Sequence, residues 1–424
     1  MQDVIVSMTA ADLPSSPKAH IVVVGTRGIP GVQGGVETHC EKLFPQLVKR
    51  GYDVTVIARK GYVQNNSYTY QGVHVIPTWS PRKGGLEAAI HTFFAVIKAK
   101  RLKADICHIH AVGPALWAPL ARLLGMKVVV THHGPDYDRK KWSRLAQRIL
   151  RMGEAAGTEY AHRLIVISET IRSSVEEKFH RYDANLIFNG VDIPQEDAAE
   201  EVNKTLAKYG LLGKKYVLAV GRLVPEKGFH DLVEAVGGRE DVTLVIAGNA
   251  MPEDDYSIAL RERAAELGVV MTGFVKGAPL RHLFRGASLF VLPSYHEGLP
   301  IALLEAMSFG RDVLVSDIAA NRDIRLPSDR YFPVGNIAEL HRAVLRRLAV
   351  DTPTIAAFRE IVRRRYDWST IARQVDELYG DLLGFTPAAL PIYAAGNASL
   401  SPDMAVLFVN SFGTSRIIEH EHIA

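Results

Sequence analysis

Short runs of consecutive apolar residues recur along the chain, each followed by a longer stretch with helical periodicity. In the first half these runs are "HIVVVG", "DVTVIAR", "VHVIP", "DICHIHA", "KVVVTHH", "RLIVIS" and "NLIFNG". In the second half they are "KYVLAVG", "VTLVIAG", "VVMTGFV", "SLFVLPS" and "DVLVSD". Near-continuous apolar runs, without polar alternation, predict strands buried on both faces. Their alternation with helices predicts βαβ units and parallel sheets. The polar, charged stretch between Asp192 and Lys215 separates the two series, so the pattern predicts an α/β protein of two Rossmann-like domains facing each other across a cleft. The expected domains are 20–195 and 196–365, after an N-terminal extension of 1–19. The stretch "YDWSTIARQVDELYGDLL" predicts a terminal amphipathic helix over 366–383 that returns to the first domain, and 384–424 has no clear period and stays unassigned.

Composition changes this picture little. The chain has 424 residues, 47% hydrophobic and 23% charged, which suits a globular protein. A net charge of +4 over so large a surface gives no reason to expect nucleic acid as a partner. Two cysteines, Cys40 and Cys107, imply no disulfide framework and suit a reducing cytoplasm. The first 19 residues lack a basic region followed by a long apolar core, so no secretory signal is expected. No stretch reads as a membrane span.

Candidate chemistry lies in the loops that follow strands. "HEGLPIALLEAMSFG" carries Glu297 and Glu305 eight positions apart in an apolar run that follows a predicted strand. A helix beginning after Gly298, with Pro300 in its first turn, turns Ile301, Leu304 and Met307 to a core and leaves the glutamates on solvated edges. That accounts for the helix but not for its place. Open α/β sheets bind ligands beyond the carboxyl ends of their strands, and a helix N-terminus there favours an anion. A carboxylate in such a site repels phosphate and accepts hydrogen bonds from hydroxyls, for which sugars are the obvious candidates.

Two more loops have the same form. "VVVGTRGIPGVQGGVETH" ends in Gly34 and Gly35, which open a helix whose N-terminus is expected to point into the cleft. Its glycines do not match G-x-G-x-x-G, and the second strand ends in Arg59 and Lys60 rather than an acidic residue, which argues against a nicotinamide cofactor. In "YVLAVGRLVPEKGFHDLVEAV", Arg222 and Lys227 follow a strand and precede a helix starting near Gly228. A planar guanidinium and a mobile ammonium suit a diphosphate.

With "GGVETH", "THHGPDY", "VIS", "NGVD", "GRLVPEKG", "VIAG", "TGFV" and "EGLPIALLEAMSFG" in this order, the chain resembles a retaining glycosyltransferase of family 4, of the GT-B fold, over roughly 20–383. The nearest likeness is to bacterial enzymes of surface-polysaccharide assembly. The resemblance implies that Glu305 binds the nucleotide ribose and Glu297 lies near the donor sugar. It implies that Arg222 and Lys227 hold the diphosphate, that Gly273, Phe274 and Val275 line the base, and that backbone around Gly298, Leu299 and Pro300 meets phosphate or sugar. It places one histidine near the donor sugar; His133, before Gly134, matches that position, and His132 is expected to be structural. One departure follows the second glutamate: where the family has a Gly-rich turn before an acidic residue, this chain has "SDIAANRDI", with Asn321 and Asp323.

The implied reaction is transfer of a sugar from a nucleoside diphosphate to a hydroxyl with retained configuration. No D-x-D occupies a strand-end loop, so neither a metal nor any other cofactor is expected beyond the nucleotide-sugar co-substrate. The implied acceptor is a saccharide or lipid-linked saccharide. "RKKWSRLAQRILR", Arg139 to Arg151, has six basic residues, no acidic one, and Trp142, Leu145, Ile149 and Leu150 interleaved. It suits either a peripheral contact with the inner membrane surface or a basic helix packed on its own domain. The rival readings are a nucleotide-sugar 2-epimerase of the same shape and a nucleotide-sugar-binding protein without turnover.

Overall fold

The computed structural model describes residues 18–385, apart from 33, 82–86, 136, 138–142, 195, 251–252 and 351–355. The N-terminal extension up to 17, the tail from 386, and the Arg139, Lys140 and Trp142 end of the basic stretch therefore lie outside the described residues.

Two sheets form. The first contains β1 (His20–Val24), β2 (Asp53–Arg59), β3 (Tyr68–Tyr70), β4 (Val73–Thr78), β5 (Ile106–His110), β6 (Lys127–His132), β7 (Arg163–Val166) and β8 (Asn185–Leu186). The second contains β9 (Tyr216–Val220), β10 (Thr243–Ala247), β11 (Val270–Gly273), β12 (Leu289–Leu292), β13 (Val313–Ser316) and β14 (Tyr331–Phe332). Their orders are β3-β4-β2-β1-β5-β6-β7-β8 and β11-β10-β9-β12-β13-β14. Every described pairing is parallel except β3 with β4. The architecture is two parallel-sheet α/β domains, as the strand–helix alternation predicts.

The central strands carry the most apolar runs because helices cover both faces. Val22, Val23, Val217 and Leu218 are wholly buried, each such side chain contributing about 1.5–3 kcal/mol. The sequence pattern misses β3 and β14. Both are edge strands of two or three residues, too short to show a period.

In both sheets the chain starts at a central strand, winds outward, and returns to the other side. The reversals fall between β1 and β5 and between β9 and β12. At such a switch point the connections leave in opposite directions, and their loops part to form a crevice. The crevices therefore lie beside the carboxyl ends of β1 and β5 and of β9 and β12, and the loops after β9 and β12 meet the turn after β6 there.

The helix Trp368–Leu383 packs on the first sheet. Asp367 caps its start by accepting from Ser369 N–H (3.0 Å). Its buried side includes Ile371, Ala372, Val375 and Tyr379. The Tyr379 hydroxyl is hydrogen-bonded to His108 Nδ1 at 2.6 Å, and the Tyr52 hydroxyl donates to Asp376 at 2.8 Å. No helix among the described residues is long and apolar enough to cross a membrane.

Candidate active site

After β9 the chain turns through Gly221 and Arg222 into a short 3-10 turn, Pro225–Lys227, and then into the helix Phe229–Val236. Gly228 makes that turn at φ 65°, and a Cβ there would stand 2.1 Å from the Pro293 carbonyl oxygen. The position demands glycine on both counts, and it holds the loop after β9 against the loop after β12. Lys227 Nζ consequently reaches Glu297, donating to Oε1 at 2.6 Å. Ser294 Oγ donates to the same oxygen at 2.7 Å. Ser316 donates to the Ser294 carbonyl at 2.5 Å, and the Asn321 amide donates to the Ser316 carbonyl at 2.9 Å. A chain of buried and part-buried hydrogen bonds therefore fixes the loop that carries Glu297.

The helix that follows is Ile301–Ser308, with Pro300 at its N-cap rather than inside its first turn. Proline's fixed φ and missing N–H suit the entry to a helix, and the Pro300 carbonyl accepts from Leu303 and Leu304 at 3.0 and 3.2 Å. Leu304 and Met307 are buried and Ile301 is partly buried, as expected. Glu297 lies in the loop before the helix and Glu305 lies on it. Burial and the nearby charge of Asp192 push the Glu305 carboxyl up to about 7, with Lys42 pulling the other way. No hydrogen-bond partner of that carboxyl is present among the described residues. Lys42 and Asp192 themselves form an ion pair beside it.

The first domain faces this loop with the turn after β6. The backbone of Gly298 comes so near that a Cβ on it would lie 2.8 Å from the His133 carbonyl oxygen. His133, Gly134, Arg222, Lys227, Glu297 and Gly298 line one pocket between the two sheets, together with His296 and Glu226. The two adjacent histidines diverge. His132 Nε2–H donates to Glu154 at 2.8 Å, and His132 Nδ1 accepts the Gly134 N–H at 3.1 Å, so it is wholly engaged in holding the turn. Tyr137 also donates to Glu154, at 2.8 Å. His133 turns toward the cleft and shares a 3.0 Å hydrogen bond through Nε2 with His110 Nδ1. Burial drives the His133 pKa well below the usual histidine range, so the ring is neutral at pH 7.

The remaining positions are more scattered. Gly34 and Gly35 stand at the start of the helix Gly35–Val48, where Glu37 accepts from the Arg27 backbone and guanidinium at 3.0 and 3.1 Å. Leu299 is buried behind the Gly298 loop. Gly273 closes β11, followed by the half-exposed Phe274 and by Val275, at the far edge of the second sheet. The loop after β11 faces the first loop, since a Cβ on Gly31 would lie 3.4 Å from Lys276 Nζ. The departing segment has structural work: the Asn321 amide holds Ser316, and Asp323 accepts from the Thr170 N–H and hydroxyl at 2.9 and 2.8 Å, bridging the two domains. Asp254, in the acidic segment after β10, caps the helix Asp255–Glu266. A wider pocket lined by Arg122, Thr158, His162 and Arg181 lies at the start of β7 and gathers none of these motifs.

Sequence reasoning missed Ser294, and it missed His39 and His110 behind His133. The second had a signal: His108 and His110 are two apart on one strand and so share a face. Their rings lie 4.2 Å apart.

Residues 33–195 match the family model described as Glycosyltransferase Family 4, and residues 201–364 match that of Glycosyl transferases group 1. The chain is similar to the phosphatidyl-myo-inositol mannosyltransferase of Mycobacterium leprae, 29% identical over 82% of this chain and 93% of the relative. It is 26% identical to the putative teichuronic acid biosynthesis glycosyltransferase TuaC of Bacillus subtilis, over 66% of this chain and 76% of that one. Among solved structures, the sucrose-phosphate synthase of Thermosynechococcus elongatus superposes with a TM-score of 0.74 at 21% identity, over 87% of this chain and all of that one.

Proposed function

The chain belongs to the family 4 glycosyltransferases of the GT-B fold, and we propose that it transfers a sugar from a nucleoside diphosphate to a hydroxyl of a saccharide or lipid-linked saccharide, with retained anomeric configuration. The observation that carries this reading is the meeting of Arg222, Lys227, Glu297 and Gly298 with His133 in one pocket between the domains.

Arg222 and Lys227 take the diphosphate, whose charge grows as the bond from the anomeric carbon to the phosphate oxygen breaks. Positive groups aimed at that oxygen lower the barrier. The same two cations meet the charge that a divalent ion would otherwise meet, so the reaction is assigned no metal. The acceptor oxygen bonds to the anomeric carbon on the face the phosphate leaves, and its proton passes to the departing phosphate oxygen. His133, being neutral, offers a hydrogen bond to a sugar hydroxyl without adding charge. Glu297 and Glu305 accept from hydroxyls of the donor sugar and the ribose respectively.

The two named relatives support an acceptor in glycolipid or polysaccharide assembly. The helix Arg144–Tyr160 adds a physical argument. It buries Ala146, Gly153 and Gly157 against its own domain, yet Leu145 and Met152 are 65% and 60% exposed beside exposed Arg144, Arg148 and Arg151. Apolar side chains flanked by arginines suit the headgroup region of an anionic membrane. We therefore assign the protein to the cytoplasmic side of a membrane, in peripheral contact.

The test is a panel of UDP-, GDP-, dTDP- and ADP-sugars, followed by thermal shift and calorimetry with wild type and Glu305→Ala, in chelator. Binding of one nucleotide class, weakened in the variant, followed by acceptor-dependent release of nucleoside diphosphate, is expected. Equal binding by the variant, or an epimerised donor without acceptor, overturns the assignment.

A further inference from the structure

Three imidazoles converge where the carboxyl ends of β5 and β6 meet the helix Gly35–Val48. They belong to His39 on the helix, His110 at the end of β5, and His133 beyond β6. One ring nitrogen from each lies within 4.8 Å of the others. The ring centroids form a nearly equilateral triangle, with His39 to His110 at 5.4 Å, His39 to His133 at 5.0 Å and His110 to His133 at 5.3 Å.

That triangle has the size of a three-histidine metal site. Zinc–nitrogen bonds of about 2.0–2.1 Å place each ring centroid about 3 Å from the ion, and tetrahedral angles then separate the centroids by about 5 Å.

The hydrogen bonding leaves ligand atoms over. His39 Nδ1–H donates to Asn189 Oδ1 at 2.7 Å, so His39 Nε2 carries a lone pair. His39 Nε2 and His110 Nε2 are both buried without a hydrogen-bond partner among the described residues. Buried polar atoms are ordinarily satisfied, so two in one cluster ask for a partner. An outer amide oxygen that fixes one ring's tautomer and orientation is the usual support of a metal-bound histidine. Burial also lowers the His39 pKa to about 4 and holds His110 and His133 well below the usual range. All three are therefore in the neutral form that binds metal, and His133 Nε2 becomes a ligand by giving up the 3.0 Å hydrogen bond that it shares with His110 Nδ1.

We propose that His39, His110 and His133 bind one divalent transition-metal ion of the zinc type beneath the cleft. Neutral imidazoles select zinc, cobalt, nickel or copper over magnesium, which prefers oxygen. The ion enters past His133, which lines the cleft, and its fourth position opens there. The site shares His133 with the pocket that holds Arg222 and Lys227 but uses neither of those two residues. On the transferase reading above, a bound ion takes His133 away from the donor sugar, so the filled site is an inhibited state.

The probe is Co²⁺, titrated into the full chain after dialysis against chelator. The expected result is one bound ion per chain with the visible absorption of tetrahedral cobalt, lost in His39→Gln and kept in His74→Gln, which changes a surface histidine. Asn189→Ala keeps all three ligands and frees His39 to turn, so Co²⁺ should bind about 10- to 100-fold more weakly. That variant carries the test if His39→Gln does not fold. No stoichiometric binding, or a spectrum unchanged in both variants, overturns the proposal. A His39-dependent spectrum in a chain that shows no transferase turnover when stripped of metal would uphold the metal site and remove the functional reading instead.

Discussion

The carboxyl of Glu305 gives a quantitative prediction. It is raised from its ordinary 4.5 to about 7, with burial the largest cause and Asp192 the next. A carboxyl whose folded pKa lies above its unfolded value binds more protons in the folded state. Its ionisation therefore opposes folding, and the opposition grows as pH rises from about 4.5 and is complete above about 7. A rise of this size corresponds to about 3 kcal/mol. Glu305→Gln removes the ionisable group while keeping the shape. At pH 8 the variant should be more stable than wild type by about 3 kcal/mol, or roughly 4 °C in Tm for a chain of this length. At pH 5.5, where the folded carboxyl is protonated, the gain should fall to less than half. On the proposed function, ribose hydroxyls donate to the ionised form, so nucleotide binding near pH 6.5 should expel a proton. Calorimetry in two buffers of different ionisation enthalpy reads that proton, and the glutamine variant should show none. A gain equal at both pH values, or nucleotide binding without proton release, refutes the reasoning.

Three further substitutions follow, two at the same site and one under the terminal helix. Lys227→Ala leaves the Glu297 carboxylate, 9% exposed, with Ser294 alone; unfolding should become easier by up to about 3 kcal/mol and nucleoside diphosphate should bind about 10- to 100-fold more weakly by calorimetry. Ser294→Ala removes one bond to that carboxylate, and kcat/KM should fall about fivefold with a Tm change of a few degrees, measured by steady-state transfer and thermal melt. Tyr379→Phe strips a buried partner from His108 Nδ1, at 2.6 Å, and should cost about 1–3 kcal/mol in denaturant unfolding while donor affinity stays unchanged.

The central strands were legible because a parallel strand covered on both faces must be apolar along its length, as "YVLAV" and "LFVL" are. The loops were legible for a related reason: glycines and charged residues stand out where strand and helix periods stop. Edge strands such as "YTY" carry no such signal. The division of labour between His132 and His133 was half legible, because alternation says they diverge but cannot say which partner each meets. Glu154 lies 22 positions from His132, and Asn189 lies 150 from His39. Such contacts depend on how whole elements pack, which local pattern does not encode. The Lys227–Glu297 bond is hidden for the same reason, although each residue by itself stands out in the sequence.

That bond bears on how the site works. Lys227 and Glu297 neutralise each other across 2.6 Å, and each alone would be a poorly solvated charge. A diphosphate can draw Lys227 away only by offering it a better partner, and the released carboxylate then needs hydrogen-bond donors of its own. Sugar hydroxyls supply such donors, and inorganic diphosphate does not. On the proposed function the pair couples the two ends of the donor: the anion loosens the carboxylate, and the sugar satisfies it. Recognition by exchange of partners makes affinity depend on the whole donor rather than on its phosphates. On this argument a nucleoside diphosphate should bind more weakly than the matching nucleotide sugar, and the difference should shrink in Glu297→Gln, where no buried carboxylate waits to be satisfied.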